Sequence, residues 1–338
     1  MYRLHTALSL IGMFYIIEES YAGFDRTAQN NLAVYWDSYG QLGGSLAQQR
    51  LSYYCSNTNI DIIPLAFATA ITGPSGQPEL NFANQVNNCT TFAGKNLFYC
   101  KELEEDIAAC QHMYNKTILL SIGGPSYEDY GFSSEIEAQN AARLVWETFG
   151  PQQSGSIALR PFGSAAVDGF DFHFESMVSV MAPFAQKLRN LMDSSEDGVH
   201  RLLTAAPQCP FPDAADDQFL SGPSGNGEGA VPVDAIFVQF YNNYCGLQSF
   251  VDAATQDNFN FDAWDRWVNT LSASKNTKVF LGVPASTGAA KSGYKSAEDL
   301  VRVIDYAKGY KTFGGVMIWD VTLAYANGGY VTEVKSKL

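Results

Sequence analysis

Val167–Glu175 reads VDGFDFHFE, a short stretch in which aromatic and polar side chains alternate. Successive side chains of a β-strand point to opposite faces, so Asp171, His173 and Glu175 are predicted to share one face and three phenylalanines the other. Ionisable side chains are costly to bury unless they pair or carry out a function. The stretch therefore predicts a buried strand whose polar face belongs to a functional site.

Seven further apolar, β-branched or aromatic runs predict strands over residues 32–36, 60–68, 117–123, 202–207, 235–241, 278–284 and 315–319. Helical patterns between them are clearest over residues 102–114, 137–149, 179–192, 261–273 and 297–310. Strands that alternate with helices predict a parallel sheet, and eight of them in one chain predict a closed (β/α)8 TIM barrel. A doubly wound open sheet is the alternative, but no G-x-G-x-x-G motif follows the first predicted strand. We expect a single domain over residues 23–338.

Residues 1–22 are predicted to be a secretory signal peptide. A basic residue precedes the apolar run Thr6–Ile17, and Ser20 and Ala22 form a small-residue cleavage pattern. A buried core helix is the alternative interpretation of this run. Because no later run of about 18 apolar residues follows, we expect no membrane anchor and a secreted, extracellular protein.

The composition narrows the classes of partner. Lys and Arg number 21 against 35 Asp and Glu, a net charge of −14, which argues against nucleic acid or an anionic membrane because phosphate would repel the chain. In 338 residues, 46% hydrophobic and 17% charged side chains indicate a large core and not a disordered chain. Four scattered histidines, without H-E-x-x-H or C-x-x-C motifs, predict no metal and no other cofactor. We expect a monomer.

Six cysteines are present: Cys55, Cys89, Cys100, Cys110, Cys209 and Cys245. An even number behind a predicted signal peptide indicates disulfides and not zinc ligands or free thiols, although spacing alone cannot choose among 15 pairings. Two N-glycosylation sequons begin at Asn88 and Asn115. The cysteine in the first is expected to obstruct its use. The second precedes a predicted buried strand, so its use is left open.

The polar strand resembles the D-x-x-D-x-D-x-E signature of glycoside hydrolase family 18, beginning at Asp168 and ending at Glu175. The family's S-x-G-G motif is present as Ser121, Gly123 and Gly124 on the third predicted strand. TAAPQCPFPD, VQFYNN and GGVMIW extend the resemblance toward the C-terminus, and it is closest to class III chitinases of the hevamine type. The resemblance implies a (β/α)8 barrel that takes chitin and chitooligosaccharides. It also implies the disulfides Cys55–Cys110, Cys89–Cys100 and Cys209–Cys245.

The resemblance assigns roles to individual residues. In this family the substrate's own acetamido group is the nucleophile, an exception to the usual pair of catalytic carboxylates. Glu175 would protonate the glycosidic oxygen with Asp171 on the same strand face. Tyr241 would hold the acetamido carbonyl, and Gln239 would line the pocket of the −1 sugar, the sugar on the non-reducing side of the cleaved bond. Structural positions fall to Asp168 and Ser121, and Gly123 is expected beside the substrate.

Three aromatic residues are expected at the same sugar. Trp319 would form the hydrophobic floor beneath it, with Tyr35 and Phe67 at its side. Core packing is the alternative explanation for each of them, since aromatic side chains serve both purposes.

His173 departs from the signature, which has a third Asp at this position. In the family that Asp orients the acetamido nitrogen and stabilises the positively charged oxazolinium intermediate. A protonated imidazole would repel that intermediate, and a neutral one supplies no negative charge. Losing one such preorganised group typically costs on the order of 10²–10³ in rate. A second departure is Asp37-Ser38 after Trp36, where plant enzymes have Gly-Gln, and it changes the expected sugar contacts of the first loop.

Three functions are compatible with this sequence. The favoured one is a chitinase-like protein that binds chitin fragments and hydrolyses them weakly or not at all. The second is a working chitinase that tolerates His173. The third is a protein inhibitor or storage protein built on the same barrel, which the retained sugar-pocket residues make less favourable.

Overall fold

The computed structural model describes residues 23–37, 43–127, 129–256 and 258–338. The predicted signal peptide, residues 1–22, and Ser38 of the first loop lie outside the described residues. Among the described residues, no helix has both the length and the apolar character that a membrane span needs.

Eight parallel strands form a closed barrel. They are β1 Asn31–Val34, β2 Ile62–Ala70, β3 Thr117–Gly123, β4 Gly169–His173, β5 Leu202–Ala205, β6 Ala235–Gln239, β7 Lys278–Pro284 and β8 Phe313–Trp319. Each strand pairs with the next along the chain, and β1 pairs with both β2 and β8. The predicted (β/α)8 barrel is therefore confirmed, because an open doubly wound sheet would leave β1 and β8 unpaired with each other.

Helices surround the barrel. The described residues contain α1 Leu51–Cys55, α2 Lys101–His112, α3 Glu135–Phe149, α4 Met181–Asp193, α5 Asp217–Leu220, α6 Phe261–Thr270, α7 Ala297–Lys308, α8 Val321–Ala326 and α9 Tyr330–Lys337. The five helices predicted from the sequence correspond to α2, α3, α4, α6 and α7. Two of these have serine caps, since the side chains of Ser134 and Ser296 accept hydrogen bonds from backbone N–H groups in the first turns of α3 and α7.

The alternation along β4 is confirmed by the contacts of its aromatic face. Phe172 packs against Phe184 of α4 and Phe219 of α5, with ring centroids 5.8 and 5.3 Å apart. Asp171 and His173 point the other way and are buried inside the barrel. The helices thus cover the apolar face of the strand, and the barrel interior receives the polar one.

Three disulfides hold the chain outside the sheet. They are Cys55–Cys110, Cys89–Cys100 and Cys209–Cys245, the pairing that the family resemblance implied. Cys209 and Cys245 join the loops that follow β5 and β6, with Cα atoms 5.8 Å apart. These loops also carry side chains of the cavity described next.

Candidate active site

A cavity of about 220 Å³ opens where the barrel strands reach their C-terminal ends. It is lined by Pro125, His173, Glu175, Gln208, Gln239, Tyr241, Asn242, Asn243, Ala289 and Trp319. These residues belong to β3, β4, β5, β6, β7 and β8 or to the loops that follow them. The C-terminal face of a (β/α)8 barrel is where such folds bind their ligands.

Glu175 and His173 meet inside this cavity. The Glu175 side chain is 35% exposed, whereas that of His173 is 2% exposed. The His173 Nε2 lies 3.3 Å from Oε1 of Glu175 and 3.4 Å from the amide nitrogen of Gln239. A protonated Nε2 could donate a hydrogen bond to the carboxylate, whereas an unprotonated Nε2 could accept one from the amide. One ring nitrogen cannot do both at once.

The other ring nitrogen of His173 is enclosed by aromatic side chains. Its Nδ1 is buried and has no hydrogen-bond partner. The rings of Phe67, Tyr35 and Trp319 lie 5.0, 5.4 and 5.7 Å from the imidazole, centroid to centroid. The imidazole therefore occupies its position as part of an aromatic cluster more than through its hydrogen bonds.

Asp171 lies deeper on β4 and accepts three hydrogen bonds. Its Oδ2 accepts from the hydroxyls of Tyr35 and Ser121, and its Oδ1 accepts from that of Thr204, each at 2.7 Å. Strand register brings these groups together, because Ser121 and Thr204 are the direct neighbours of Asp171 on β3 and β5. Burial and the adjacent Asp171 carboxylate raise the pKa of Tyr35 well above its ordinary value, so its hydroxyl stays a donor.

The S-x-G-G motif allows the backbones of β3 and β4 to approach closely. Gly123 has a φ of +126°, and a Cβ there would lie 2.2 Å from the carbonyl oxygen of His173. The N–H of Gly124 donates to that same oxygen at 2.8 Å. A Cβ at Gly124 would lie 2.6 Å from the ring of Phe67. The two glycines thus support the backbone and the ring that surround His173.

Tyr241 and Gln239 supply hydrogen-bond donors to the cavity. Burial, followed by the nearby carboxylates of Glu175 and Asp320, raises the pKa of Tyr241 well above its ordinary value. Its hydroxyl therefore remains protonated at ordinary pH and can donate to a carbonyl oxygen. The amide nitrogen of Gln239 donates to the carbonyl of Ala206 at 2.8 Å, which orients the side chain.

Trp319 contributes the aromatic surface of the cavity. It ends β8, is 5% exposed, and stacks on Phe67 with centroids 5.7 Å apart and planes 27° apart. Phe67 and Tyr35 both pack on His173; Phe67 is 5% exposed, like Trp319, whereas Tyr35 is fully buried. Tyr35 therefore lies beneath the cavity surface, and sugar contacts of Phe67 and Gly123 stay predictions.

Asp168 holds the start of the polar strand. Its Oδ2 accepts a hydrogen bond from the backbone N–H of Ile118 at 2.7 Å. Burial raises the pKa of Asp168 to about 6. This carboxyl lies between the N-terminal ends of β3 and β4, far from the cavity. The position agrees with a structural role in the signature.

Several cavity residues escaped prediction as site residues. Asn243 donates to the side-chain oxygen of Gln208 at 2.8 Å across the Cys209–Cys245 disulfide. The Q-F-Y-N-N run contained a signal for Asn243, since polar residues directly after a barrel strand face the cleft. Pro125 and Ala289 carried no such signal, because ordinary loop residues look alike in sequence. Within the described ranges, no three His, Cys, Asp or Glu side chains come together as a metal site.

Comparison with known proteins identifies the family. The sequence profile of "Glycosyl hydrolases family 18" matches residues 31–299. The class III chitinase of Arthroderma benhamiae is 43% identical over 340 residues, covering 100% of this chain and 94% of its own length. Endochitinase 33 of Trichoderma harzianum is 42% identical over 332 residues, with 98% of each chain covered.

A solved structure agrees with this assignment. The xylanase and α-amylase inhibitor protein of Scadoxus multiflorus superimposes with a TM-score of 0.70 at 30% identity, over 92% of this chain and 100% of its own. Inhibitors and chitinases thus occur on the same barrel. The profile match and these relatives show that the chain belongs to glycosyl hydrolase family 18.

Proposed function

We propose that this protein is a chitinase-like protein that binds chitin and N-acetylglucosamine oligomers and has lost, or strongly reduced, their hydrolysis. The observation that carries the proposal is His173, an imidazole where the family signature has its third Asp. Its Nε2 lies 3.3 Å from Glu175, the residue that the signature assigns as the proton donor. The substitution therefore acts directly on the acid.

The change of charge is the reason to expect weak hydrolysis. The reaction passes through a positively charged oxazolinium, which an Asp at position 173 would stabilise and an imidazole would not. Asp171 is poorly placed to replace that Asp, because three hydroxyl donors hold its two oxygens. We expect a rate loss on the order of 10²–10³ from this substitution.

The groups expected to hold the sugar are still in the cavity. Trp319 offers an aromatic surface, Tyr241 a hydroxyl donor and Gln239 an oriented amide. Sugars bind in proteins through this combination of an apolar face and a few converging polar groups. Binding therefore depends on residues that the change at position 173 leaves in place.

A working chitinase is the second candidate. The relatives named as chitinases, at 43% and 42% identity, favour it, as does Glu175 in the cavity. In that case Glu175 would hydrolyse β-1,4 linkages with retention, using the acetamido group of the substrate. The difference between the two candidates is one of rate at a shared site.

An inhibitor or storage protein is the third candidate. The Scadoxus multiflorus inhibitor, at 30% identity, shows that the barrel can carry such a function. The polar lining of the cavity speaks against it here, because inhibition through an outer surface would not need Tyr241, Gln239 and Trp319 around one space.

The cellular setting forms part of the proposal. The apolar leader at residues 1–22, the three disulfides and the secretory use of such bonds favour an extracellular protein. An extracellular protein that binds chitin fragments without cleaving them would sequester these fragments from other chitinases or chitin receptors. Competition with a chitinase in solution tests this role: fragments should survive longer when this protein is in excess, and equal survival would contradict the role.

The deciding experiment measures binding and hydrolysis on one preparation. Calorimetric titration with N-acetylglucosamine oligomers should show binding, while product analysis by chromatography should show little or no cleavage over the same period. Robust cleavage would establish the working chitinase. Absence of both binding and cleavage, in a protein with native disulfides and a cooperative melting transition, would favour the inhibitor candidate.

A further inference from the structure

The turn between α2 and β3 contains the second sequon, Asn115-Lys116-Thr117. Asn115 is exposed and has a φ of +52°, a conformation that asparagine accepts more readily than most residues. Lys116, by contrast, is buried and donates to two backbone carbonyls beneath the turn. The turn therefore exposes the asparagine and anchors the residue that follows it.

The residues before Asn115 form an apolar surface. Met113 is 75% exposed and Tyr114 is 38% exposed. Single exposed apolar residues are common, but here two adjacent ones directly precede an exposed acceptor asparagine. A saccharide bonded to Asn115 would cover them, with its apolar face available to the tyrosine ring.

The position of the turn leaves the cavity open. It precedes β3, whose seven residues, Thr117–Gly123, run from the turn to the strand end beside the cavity. Seven residues of strand span roughly 20 Å. A saccharide at Asn115 would therefore project from the face of the barrel opposite the ligand cavity.

The asparagine of the first sequon is also exposed, but its contacts differ. The side chain of Asn88 donates to Glu102 at 3.2 Å. Its neighbour Cys89 is bonded to Cys100, which fixes the backbone directly after the asparagine. Asn88 thus serves as an internal comparison.

We propose that Asn115 carries an N-linked oligosaccharide, whereas Asn88 does not. The donor would be a lipid-linked oligosaccharide diphosphate. The side-chain nitrogen of Asn115 loses a proton and bonds to C1 of the first sugar, as the bond from C1 to the diphosphate oxygen breaks. The lipid diphosphate leaves with that electron pair. This inference rests on the proposed secretion, since transfer occurs in the secretory pathway.

The structure also places this transfer before folding. Thr117, the third residue of the sequon, is 1% exposed, and its Oγ1 accepts a hydrogen bond from the N–H of Phe24 at 3.1 Å. A transferase must reach the hydroxyl of Thr117 together with the amide of Asn115. The folded barrel withholds that hydroxyl, so the oligosaccharide is attached while β3 is still unpaired.

The experiment translates the full chain in the presence of endoplasmic-reticulum microsomes. We expect a protease-protected product whose mass falls on treatment with peptide N-glycosidase. Asn88→Gln should keep the mass shift and Asn115→Asp should lose it, with aspartate chosen because it also accepts a positive φ. Unglycosylated chain, folded first with its disulfides and then added to detergent-opened microsomes, should remain unmodified.

Three different results would each contradict a different part of this proposal. A protected chain with native disulfides and an unmodified Asn115 would overturn this inference alone. A chain that stays outside the microsomes would contradict the proposed secretion and the modification with it. Modification of the prefolded chain would show that the burial of Thr117 does not set the timing.

Discussion

His173 is held mainly by rings, and this affects what a substitution there can achieve. Its imidazole touches the rings of Phe67, Tyr35 and Trp319, and its Nδ1 has no partner. An aspartate is smaller and would leave space among these rings, while its carboxylate could approach Glu175. The position therefore links the packing of the cavity wall to the charge beside the acid.

His173→Asp should raise hydrolysis of N-acetylglucosamine oligomers by at least about tenfold over the natural protein. The carboxylate restores the negative charge opposite the oxazolinium and a hydrogen-bond partner for Glu175. Product formation, measured by chromatography with the melting temperature as a check on folding, tests this expectation.

The matched control is His173→Asp combined with Glu175→Gln, which should return hydrolysis to the background because an amide cannot protonate the leaving oxygen. An unchanged rate in His173→Asp, with binding intact, would contradict the proposal that this residue alone limits hydrolysis. It would direct attention to Asp37 and the first loop.

Trp319→Ala should weaken oligomer binding by about 3 kcal/mol, roughly a hundredfold in Kd, because the aromatic surface of the cavity is lost. Tyr53→Ala is the matched control, since Tyr53 is 54% exposed on α1 and does not line the cavity. Its Kd should stay unchanged. Titration calorimetry of both variants measures the difference, and equal affinities would place the sugar elsewhere.

The sequence predicted some of these residues but not the hydrogen bonds between them. Alternation along one strand placed Asp171 and His173 on the same face, because that property is local. The convergence of Tyr35, Ser121 and Thr204 on Asp171 depends on the register of β1, β3 and β5, which no single stretch encodes. Tyr35 was therefore expected beside the sugar, and the structure shows it buried beneath as a donor to a carboxylate.

At the scale of elements, buried strands and long helices were the most predictable parts. Residues 117–123 and 278–284 match β3 and β7 from end to end, since both are rich in apolar and β-branched residues. Helices α1, α5, α8 and α9 were not predicted, because the first three have only four to six residues and α9 carries a weak apolar pattern. Short elements of this kind depend on tertiary packing more than on their own sequence.

The Cys209–Cys245 disulfide connects two elements of the site. It closes a loop with a sequence separation of 36, for which the chain-entropy relation gives roughly 3–4 kcal/mol of stabilisation. Cys209→Ser with Cys245→Ser should lower the melting temperature and weaken oligomer binding, because Gln208 and Tyr241 lie on the two joined segments. Differential scanning calorimetry and titration of the double variant measure both effects.

Cys89→Ser with Cys100→Ser provides the comparison, since its loop is shorter, with a separation of 11, and does not carry cavity residues. It should cost less stability and leave the Kd unchanged. Equal loss of binding in the two double variants would show that the effect is general destabilisation and not a displaced cavity wall.

For the whole molecule, carboxyl groups with shifted pKa values contribute to the pH dependence of stability in two opposite directions. Burial raises the pKa of Asp168 to about 6 and that of Asp216 well above its ordinary value. Hydrogen bonds from Arg201 lower the pKa of Asp197 to about 2, and the pKa of Asp234 is also lowered, by His200 and Arg189 acting against its burial. Above about pH 4, Asp168 and Asp216 bind more protons in the folded than in the unfolded chain. The free energy of unfolding therefore falls as pH rises. Asp197 and Asp234 stabilise the folded chain at higher pH, and this stabilisation is lost as pH falls below about 4.

The melting temperature should therefore be highest at a mildly acidic pH of about 4 to 5 and fall toward neutrality. Asp216→Asn should remove part of that fall, because both oxygens of Asp216 are buried without a hydrogen-bond partner. Glu196→Gln makes the same change of charge at an exposed position and should leave the profile unchanged. Melting curves from pH 4 to pH 8 test this, and parallel profiles for Asp216→Asn and the natural protein would contradict it.

The pairing of β1 with β8 can form only late in the synthesis of the chain. The side chain of Asn31 donates to the carbonyl of Gly314 across a sequence separation of 283, so the first strand meets its last neighbour only when nearly the whole chain exists. At ribosomal speeds of about 5–20 residues per second, that wait lasts roughly 15 to 60 s. During this interval the early strands are without a complete set of neighbours, and the compartment in which the chain emerges has access to segments that the finished ring encloses. The order of synthesis, as well as the folded geometry, therefore determines which residues of this polypeptide can be modified.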